Sequence, residues 1–298
     1  MRVVSLLPSA TEIVFALGRG DELVGVTFEC DFPPAARDRL IVSTSGLPEG
    51  LSSRQIDAVV SARIAAGEDL YRLDEGALSD LDPDVVLTQD LCAVCAVDVH
   101  RVDDALAHLG CAAQVVTLDP MTLDAVLDSI AKVGTALGAE AEARELVSSL
   151  RGRLDSLGRV VSSAPRTAVL VLEWTDPPFS AGHWVPDLVS AGGGRPVMGN
   201  AGADSQRLNW DAVATAVAEV VIVAPCGYHL GPAYEHAAEI VADRRLPDDA
   251  DVWAVDADSY FVRPGPRLVD GAELVGQILH PELCGSPDLT RAVRVASD

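Results

Sequence analysis

Short apolar runs, each followed by a helical pattern, dominate the hydrophobic profile of this chain. Continuous apolar stretches predict buried β-strands at 3–7, 23–26, 84–88 and 167–172, with a further strand at 220–224. Most of these stretches lead into amphipathic segments, which predict helices. Alternation of strands with helices is typical of βα units built around a mostly parallel sheet.

The turn after the first predicted strand carries a helix-start pattern. Ser9 and Glu12 have the spacing of a capping box, in which each side chain hydrogen-bonds the backbone of the other residue. Capping alone would explain both residues. They also follow a buried strand, at the carboxyl edge of the sheet, so a contact with a ligand is the alternative.

The middle of the chain breaks the βα rhythm. Leucine, isoleucine and valine recur at helical spacing from about 122 to 157, interrupted only by Gly138. A single helix of that length would be ~50 Å long, at about 1.5 Å per residue. Such a helix is too long for a crossover within one sheet, so it predicts a bridge between two lobes.

The predicted fold class is therefore α/β, with two Rossmann-like βα lobes joined by one long helix. The predicted division has four parts. They are an N-terminal lobe at 1–120, an interlobe helix at 121–160, a C-terminal lobe at 161–284 and a tail at 285–298. We expect the tail after Cys284 to be frayed.

Composition narrows the class of protein. Apolar residues form 49% of the chain, and no run reaches the roughly 18 apolar residues that span a bilayer. The formal charge of −23 repels phosphate backbones and anionic lipid, which argues against nucleic-acid binding and membrane insertion. The first residues lack the complete pattern of a secretion signal, so we expect a cytoplasmic location.

Cysteines mark the ends of three predicted strands. Cys30 and Cys226 each follow one strand, and Cys92 and Cys95 form a CxxC pair after a third. Thiolates are soft ligands that favour zinc or an iron–sulfur cluster, so these four residues are candidate metal ligands. A thioredoxin-like redox pair at 92–95 is a further alternative, although its Ala93-Val94 spacer lacks the usual proline or glycine.

Aromatic residues also concentrate at predicted strand ends, where flat organic ligands find apolar area. Eight of the chain's thirteen aromatic residues have this position: Phe28, Phe32, Trp174, Phe179, Trp184, Tyr228, Tyr260 and Phe261. The sequence contains neither a phosphate-binding Walker loop nor a nucleophile elbow. We therefore expect a ligand-binding protein and not an enzyme.

Several longer motifs resemble a known family. They are VSLLPSATE at 4–12, LDPDVVL at 81–87 and the segment from Tyr260 to Leu268. The chain resembles, over about residues 1–283, the substrate-binding proteins of cobalamin and iron-siderophore ABC importers. Motifs at 29–31, 90–97, 173–186 and 224–227 resemble a branch of cobalamin-binding proteins that lack an export signal.

The resemblance implies a class III periplasmic-binding-protein-like fold and a large metal chelate, cobalamin above all, held between the lobes. The implied partner is an ABC transporter permease. The predicted ligand-binding residues are Ser9, Glu12, Phe28, Glu173, Trp174, Asp176, Phe179, His183, Trp184, Tyr228 and Tyr260. The alternative hypothesis is a cytosolic zinc or iron–sulfur protein that uses the four cysteines on the same scaffold.

Overall fold

A computed structural model describes residues 1–89 and 113–296. Its strands are β1 Val3–Ser5, β2 Leu23–Thr27, β3 Leu40–Ser45, β4 Tyr71–Leu73, β5 Val85–Thr88, β6 Gln114–Thr117, β7 Thr167–Thr175, β8 Pro178–Ser180, β9 Gly194–Val197, β10 Val220–Val223, β11 Asp251–Val255 and β12 Ala292–Val295. Its α-helices are α1 Pro8–Ala16, α2 Ser53–Ala66, α3 Glu75–Leu81, α4 Leu123–Ala136, α5 Glu140–Val161, α6 Val185–Ala191, α7 Trp210–Ala214, α8 Leu230–Ala242, α9 Ala257–Tyr260, α10 Leu268–Leu279 and α11 Pro281–Cys284. The sequence also predicts a helix from Val99 to Leu109, and this segment lies outside the described residues.

The chain divides into two compact units. The N-terminal unit comprises Met1–Pro120 and Leu127–Ser148, and the C-terminal unit comprises Met121–Val126 and Ser149–Asp298. Each unit contains one six-stranded sheet with helices. The predicted α/β fold with two βα lobes is confirmed.

The sheet of the N-terminal unit has the strand order β4-β3-β2-β1-β5-β6. All pairs are parallel except β3 with β4. Apolar side chains of β1, β3, β4, β5 and neighbouring residues pack with Leu78 of α3 in one buried cluster: Val4, Leu6, Val42, Leu70, Tyr71, Leu78 and Val86. Central parallel strands are covered on both faces, which explains why they read as continuous apolar runs in the sequence.

The sheet of the C-terminal unit has the order β12-β11-β10-β7-β8, and β9 also pairs with β7. Successive residues of β7 point to opposite faces, so Val169 and Val171 join one core cluster while Leu170 and Leu172 join another. The pairs β7·β9, β7·β10 and β10·β11 are parallel. The carboxyl ends of β7, β10 and β11 therefore lie at one edge of this sheet.

The helical segment at 122–157 consists of two helices, not one. Helix α4 ends at Ala136, and Gly138 adopts a left-handed φ of 60°. The N–H of Gly138 donates to the Thr135 carbonyl at 3.3 Å, and the N–H of Ala139 donates to the Gly134 carbonyl at 2.7 Å. This pair of bonds is a Schellman motif, which ends a helix. The apolar spacing continued past Gly138 because α5 resumes it from Glu140.

The capping box predicted at Ser9 and Glu12 is wrong. Helix α1 begins at Pro8, and the N-cap residue is Leu7, without a side-chain cap. Proline favours the first helical position, where its missing N–H costs nothing. Ser9 therefore lies inside the first turn. A capping box does occur at Ser52 and Gln55, ahead of α2.

The frayed tail predicted after Cys284 is also wrong. Residues Ala292–Val295 form β12, which pairs antiparallel with β11 and buries Ala292 and Val295. The exposed Arg294 hid the strand pattern, because it interrupts a short apolar run. The tail thus completes one edge of the C-terminal sheet.

Strand β7 extends beyond its predicted end at Leu172. It runs to Thr175 and turns back into β8, so Trp174 and Phe179 are cross-strand partners of a hairpin and not loop residues. Phe261, which directly follows α9 in the chain, is likewise a fully buried core residue. No helix in 1–89 or 113–296 is long and apolar enough to cross a membrane.

Candidate ligand-binding site

An aromatic cluster of Trp174, Tyr228 and His236 lies at the carboxyl edge of the C-terminal sheet. The ring centroids of Trp174 and Tyr228 are 5.8 Å apart, and those of Tyr228 and His236 are 4.9 Å apart. All three rings are partly exposed. Tilted rings at these distances attract each other and present apolar area to a ligand.

The backbone turn after β10 positions Tyr228. Gly227 has a φ of 78°, a left-handed conformation that glycine adopts without strain. The N–H of Tyr228 donates to the Pro225 carbonyl at 3.1 Å, which closes the turn. On the neighbouring helix α8, His236 Nδ1 lies 2.9 Å from the Thr175 hydroxyl at the end of β7. The cluster therefore joins the ends of two adjacent strands.

The hairpin of β7 and β8 holds Trp174 in place. The indole N–H of Trp174 donates to the Asp176 carbonyl at 3.1 Å, which uses the ring's only donor. Across the hairpin, the Arg207 guanidinium lies 5.3 Å from the centroid of the Phe179 ring. The backbone of Asp176, and not only its carboxylate, thus contributes to this edge.

The Glu173 side chain links the end of β7 to the segments around Gly182 and Ser205 by hydrogen bonds. Its carboxylate accepts a hydrogen bond from the Gly182 N–H at 3.1 Å and a short one from the Ser205 hydroxyl. Burial of the carboxylate raises the pKa of Glu173 to about 7, although both hydrogen bonds act in the opposite direction. The segment around Ser205 packs closely on Gly182, where a Cβ would lie 2.3 Å from the Ser205 nitrogen.

His183 has a strained backbone beside this segment. Its φ is 51°, in the left-handed region that is uncommon for residues other than glycine. The His183 N–H donates to the Ala203 carbonyl at 2.6 Å, and Nε2 lies 3.5 Å from an Asp204 carboxylate oxygen. Desolvation lowers the pKa of His183, which Asp204 partly offsets. Desolvation thus favours the neutral imidazole, the form that coordinates metal ions.

Trp184 is a core residue. It is 7% exposed, and its indole N–H donates to the Phe261 carbonyl at 2.7 Å. It packs with the apolar cluster on one face of the C-terminal sheet. This placement leaves little of its ring for a ligand.

A polar network follows the carboxyl ends of β10 and β11. His229 Nδ1 lies 3.0 Å from Asp256, and its Nε2 lies 3.6 Å from Asp258. Asp258 also forms an ion pair of 2.5 Å with the buried Arg263. The Asp258 N–H donates to the Tyr228 carbonyl at 3.1 Å, so this network and the aromatic cluster share one turn.

Two arginines lie close to the Tyr260 ring. The guanidinium carbon of Arg291 is 4.8 Å from the Tyr260 ring centroid, and that of Arg267 is 5.8 Å away. Arg267 precedes α10, while Arg291 immediately precedes β12. Desolvation raises the pKa of Tyr260 despite both cations.

The N-terminal unit contains the other predicted ligand residues. Ser9 and Glu12 are buried in α1, at 2% and 3% exposure. Phe28 is exposed after β2, and its ring centroid lies 6.3 Å from that of Tyr71. Glu12 thus has little surface of its own for ligand contact, whereas Phe28 has more.

Two of the four predicted metal ligands, Cys30 and Cys226, lie among the described residues. Cys30 is buried, with its Sγ 3.0 Å from the Thr11 hydroxyl, and Cys226 is exposed after β10. Cys92 and Cys95 lie outside the described residues. The structure therefore leaves the four-thiol site, with its zinc or iron–sulfur cluster, as an untested prediction.

Sequence reasoning missed Ser205, His236 and Arg291. None belongs to a motif, and each lies far along the chain from its partner: 32 residues for Ser205 with Glu173 and 61 for His236 with Thr175. Arg291 was assigned to the tail. Only tertiary packing identifies these neighbours.

The family model described as periplasmic binding protein matches residues 3–246. The chain belongs to this family. The matched range covers nearly all of the N-terminal unit and the C-terminal unit as far as residue 246. This agrees with the predicted resemblance, and members of the family are substrate-binding proteins.

Individual relatives cover nearly the whole chain. An uncharacterized ABC transporter substrate-binding lipoprotein of Bacillus subtilis is 25% identical over 94% of this chain and 80% of its own length. The vitamin B12-binding protein of Vibrio cholerae is 24% identical over 92% of this chain and 87% of its own length. A lipoprotein relative gives no support to the expected cytoplasmic location.

Solved structures share the fold. A periplasmic heme-binding protein of Pseudomonas aeruginosa has a TM-score of 0.71 and 20% identity, and covers 99% of this chain and 95% of its own. The periplasmic vitamin B12-binding protein of Vibrio cholerae has a TM-score of 0.63 and 21% identity, over 93% and 96%. These matches do not support the alternative of a cytosolic iron–sulfur protein.

Proposed function

We propose that this chain is a non-catalytic substrate-binding protein of an ABC importer, and that its ligand is a corrinoid, cobalamin in the first place. The observation that carries the ligand is the similarity to vitamin B12-binding proteins over 92% of the chain. The family supports the binding role, and the relative named as an ABC transporter component supports a permease as partner.

The chemistry of the strand ends supports a ligand of this class. A corrin has a broad apolar face with amide groups around its rim. Trp174 and Tyr228 supply partly exposed aromatic area, and the nearby carboxylates of Asp176 and Asp256 are acceptors for amide N–H groups. Glu173, with both oxygens already hydrogen-bonded, acts in this proposal by holding the segments around Gly182 and Ser205.

Titration with cyanocobalamin tests the proposal. All four tryptophans lie in the C-terminal unit, so quenching of tryptophan fluorescence reports binding there. We expect saturable 1:1 binding with a Kd of about 1 μM or tighter, equivalent to roughly −8 kcal/mol. Absence of saturation at about 100 μM cobalamin, with hemin bound instead, would replace the corrinoid by heme; binding of neither would refute the tetrapyrrole class.

A further inference from the structure

The imidazole of His236 has its two nitrogens in different surroundings. Nδ1 lies 2.9 Å from the Thr175 hydroxyl. Nε2 has no hydrogen-bond partner within residues 1–89 and 113–296, and it is not one of the enclosed polar atoms that lack a partner there, so it is accessible to solvent. The His236 ring is partly exposed, and its centroid lies 4.9 Å from that of Tyr228 in the aromatic cluster. One nitrogen is therefore held inside the fold, and the other is open at the carboxyl edge of the C-terminal sheet.

The Thr175 hydroxyl decides which nitrogen of His236 carries the hydrogen. Thr175 is 4% exposed, and Nδ1 is the only hydrogen-bond partner of its hydroxyl in the described part of the chain. A buried O–H that donates to no acceptor costs free energy, so the hydroxyl donates and Nδ1 accepts. A neutral imidazole that accepts at Nδ1 carries its hydrogen on Nε2. His236 thus presents an N–H donor at the edge of the sheet.

Packing holds this donor in position before a ligand arrives. His236 lies on α8, which packs through the buried residues Ala233, Ala237 and Ile240. The hydrogen bond with Thr175 fixes the ring from the side of β7. A donor that is already oriented loses little conformational entropy on binding, so its hydrogen bond adds to the affinity.

A ligand with a polar rim needs donors as well as acceptors from the protein. The primary amides around a corrin carry both N–H groups and carbonyl oxygens, whereas the carboxylates of Asp176 and Asp256 only accept. The indole N–H of Trp174 is already donated to the Asp176 carbonyl at 3.1 Å. The Nε2–H of His236 therefore supplies a complementary group at this edge.

We propose that His236 donates a hydrogen bond from Nε2–H to an oxygen on the rim of the ligand, and that Thr175 fixes the tautomer that does so. The acceptor is an amide carbonyl in a corrinoid, or a propionate carboxylate in a heme. This inference rests on the proposed function and assigns a specificity-determining contact to it. Coordination of the ligand's metal through Nε2 would require the opposite tautomer, with the hydrogen on Nδ1.

Nuclear magnetic resonance of ¹⁵N-labelled histidine tests the tautomer directly. The chain has six histidines, and the His236 signals are those that disappear in His236→Gln. In the ligand-free parent at pH 8 we expect an unprotonated Nδ1 and a protonated Nε2. Saturation with cyanocobalamin, or with hemin if only hemin binds, should shift the Nε2 signals more than the Nδ1 signals. A hydrogen on Nδ1, or Nε2 signals that the ligand leaves unchanged, would overturn the inference.

Titrations of three variants separate the donor from the ring. His236→Phe keeps the ring area but lacks the donor, and should weaken binding about five- to tenfold. His236→Gln keeps an N–H donor and an acceptor for the Thr175 hydroxyl, and should stay within about twofold of the parent. Tyr234→Phe, which removes the hydroxyl of an exposed ring on the same helix, is the control and should match the parent.

The double variant His236→Phe/Thr175→Val covers the case in which His236→Phe does not fold, because it leaves no unpaired hydroxyl beside the new ring. It should fold and show the same loss of affinity. Parental affinity in either phenylalanine variant, or equal losses in His236→Phe and His236→Gln, would refute the hydrogen bond and leave the proposed function intact. If the parent binds neither cobalamin nor hemin, both the proposed function and this inference are wrong.

Discussion

Among single residues, Glu173 has the most unusual chemistry. Its pKa is about 7 in the fold against an ordinary value of 4.5, because burial penalises the charged form. Below pH 4.5 the residue is neutral in both folded and unfolded chains. As the pH rises from 4.5 to 7, the unfolded chain loses its proton first, so ionisation favours unfolding and the free energy of unfolding falls.

We predict that Glu173→Gln removes this pH-dependent fall in the free energy of unfolding. The amide oxygen still accepts from the Gly182 N–H and the amide NH2 donates to the Ser205 hydroxyl oxygen, but the group cannot ionise. The parent should lose roughly 3 kcal/mol from this group between pH 4.5 and 8, since one pKa unit corresponds to about 1.4 kcal/mol. Urea denaturation of both proteins at several pH values measures it. A constant difference between them across that pH range would contradict the assigned pKa.

Trp174 and Trp184 provide a second comparison at the residue scale. Trp184→Phe removes the hydrogen bond to the Phe261 carbonyl inside the core and should lower the free energy of unfolding by about 1–2 kcal/mol. Its affinity for cobalamin should not change. Trp174→Ala should weaken cobalamin binding about tenfold, because it removes partly exposed ring area at the strand ends. Its free energy of unfolding should change little.

Both variants are measured by thermal unfolding and by ligand titration. A large loss of affinity in Trp184→Phe, with normal stability, would show that Trp184 contacts the ligand as the sequence first suggested. Unchanged affinity in Trp174→Ala would remove the aromatic cluster from the proposed site.

At the scale of elements, Gly138 determines where α4 ends. We predict that Gly138→Ala lowers the free energy of unfolding by about 1 kcal/mol. A Cβ there meets nothing within 4 Å, so the cost arises only from its left-handed φ. Gly152→Ala is the matched control: it lies inside α5, also in open space, and should raise stability by about 0.5–1 kcal/mol.

Chemical denaturation of the two alanine variants measures both changes in the free energy of unfolding, the decrease for Gly138→Ala and the increase for Gly152→Ala. If Gly138→Ala were neutral or stabilising, the helix would be able to continue through this position, and the single-helix prediction would regain support.

Strands that are buried on both faces were predictable, whereas β8, β9 and β12 were missed. Strands β1, β5 and β10 are fully buried, so each has a continuous apolar run that predicts a strand from the sequence. Strands β8 and β9 each include a proline and lie beside β7, and β12 includes an exposed arginine, so none has an apolar run. A strand has a continuous apolar run only where it is buried on both faces. That burial depends on the whole fold and not on the local sequence.

The residues of the candidate site also differ in whether the sequence indicated them. The sequence indicated that Trp174, Tyr228 and Tyr260 lie near the carboxyl ends of buried strands, because parallel strands end at one edge of a sheet. Their partners His236 and Arg291 were not indicated, since a contact between distant parts of the chain leaves no local pattern. The cysteine interpretation depended on the CxxC spacing and on the positions of Cys30 and Cys226 after predicted strands, and residues 92 and 95 lie outside the described residues.

For the whole molecule, the net charge of −23 has a measurable consequence. Self-repulsion of a highly charged surface favours the expanded chain, and salt screens it. We predict that Tm at pH 8 rises by a few degrees as NaCl increases from about 10 to 200 mM. Differential scanning calorimetry measures it. A Tm that falls over this range would indicate that attractive ion pairs, such as Arg153 with Glu273, outweigh the repulsion.

The division of the chain into units also limits how the protein can be dissected. The N-terminal unit includes Leu127–Ser148, and the C-terminal unit includes Met121–Val126. The polypeptide therefore switches between units three times, and a single cut does not separate them. A recombinant fragment ending at residue 120 lacks 22 residues of its own unit, and extending it to residue 148 adds Met121–Val126 of the other. Split-reporter fusions or isotope labelling of one half would therefore need both fragments expressed together.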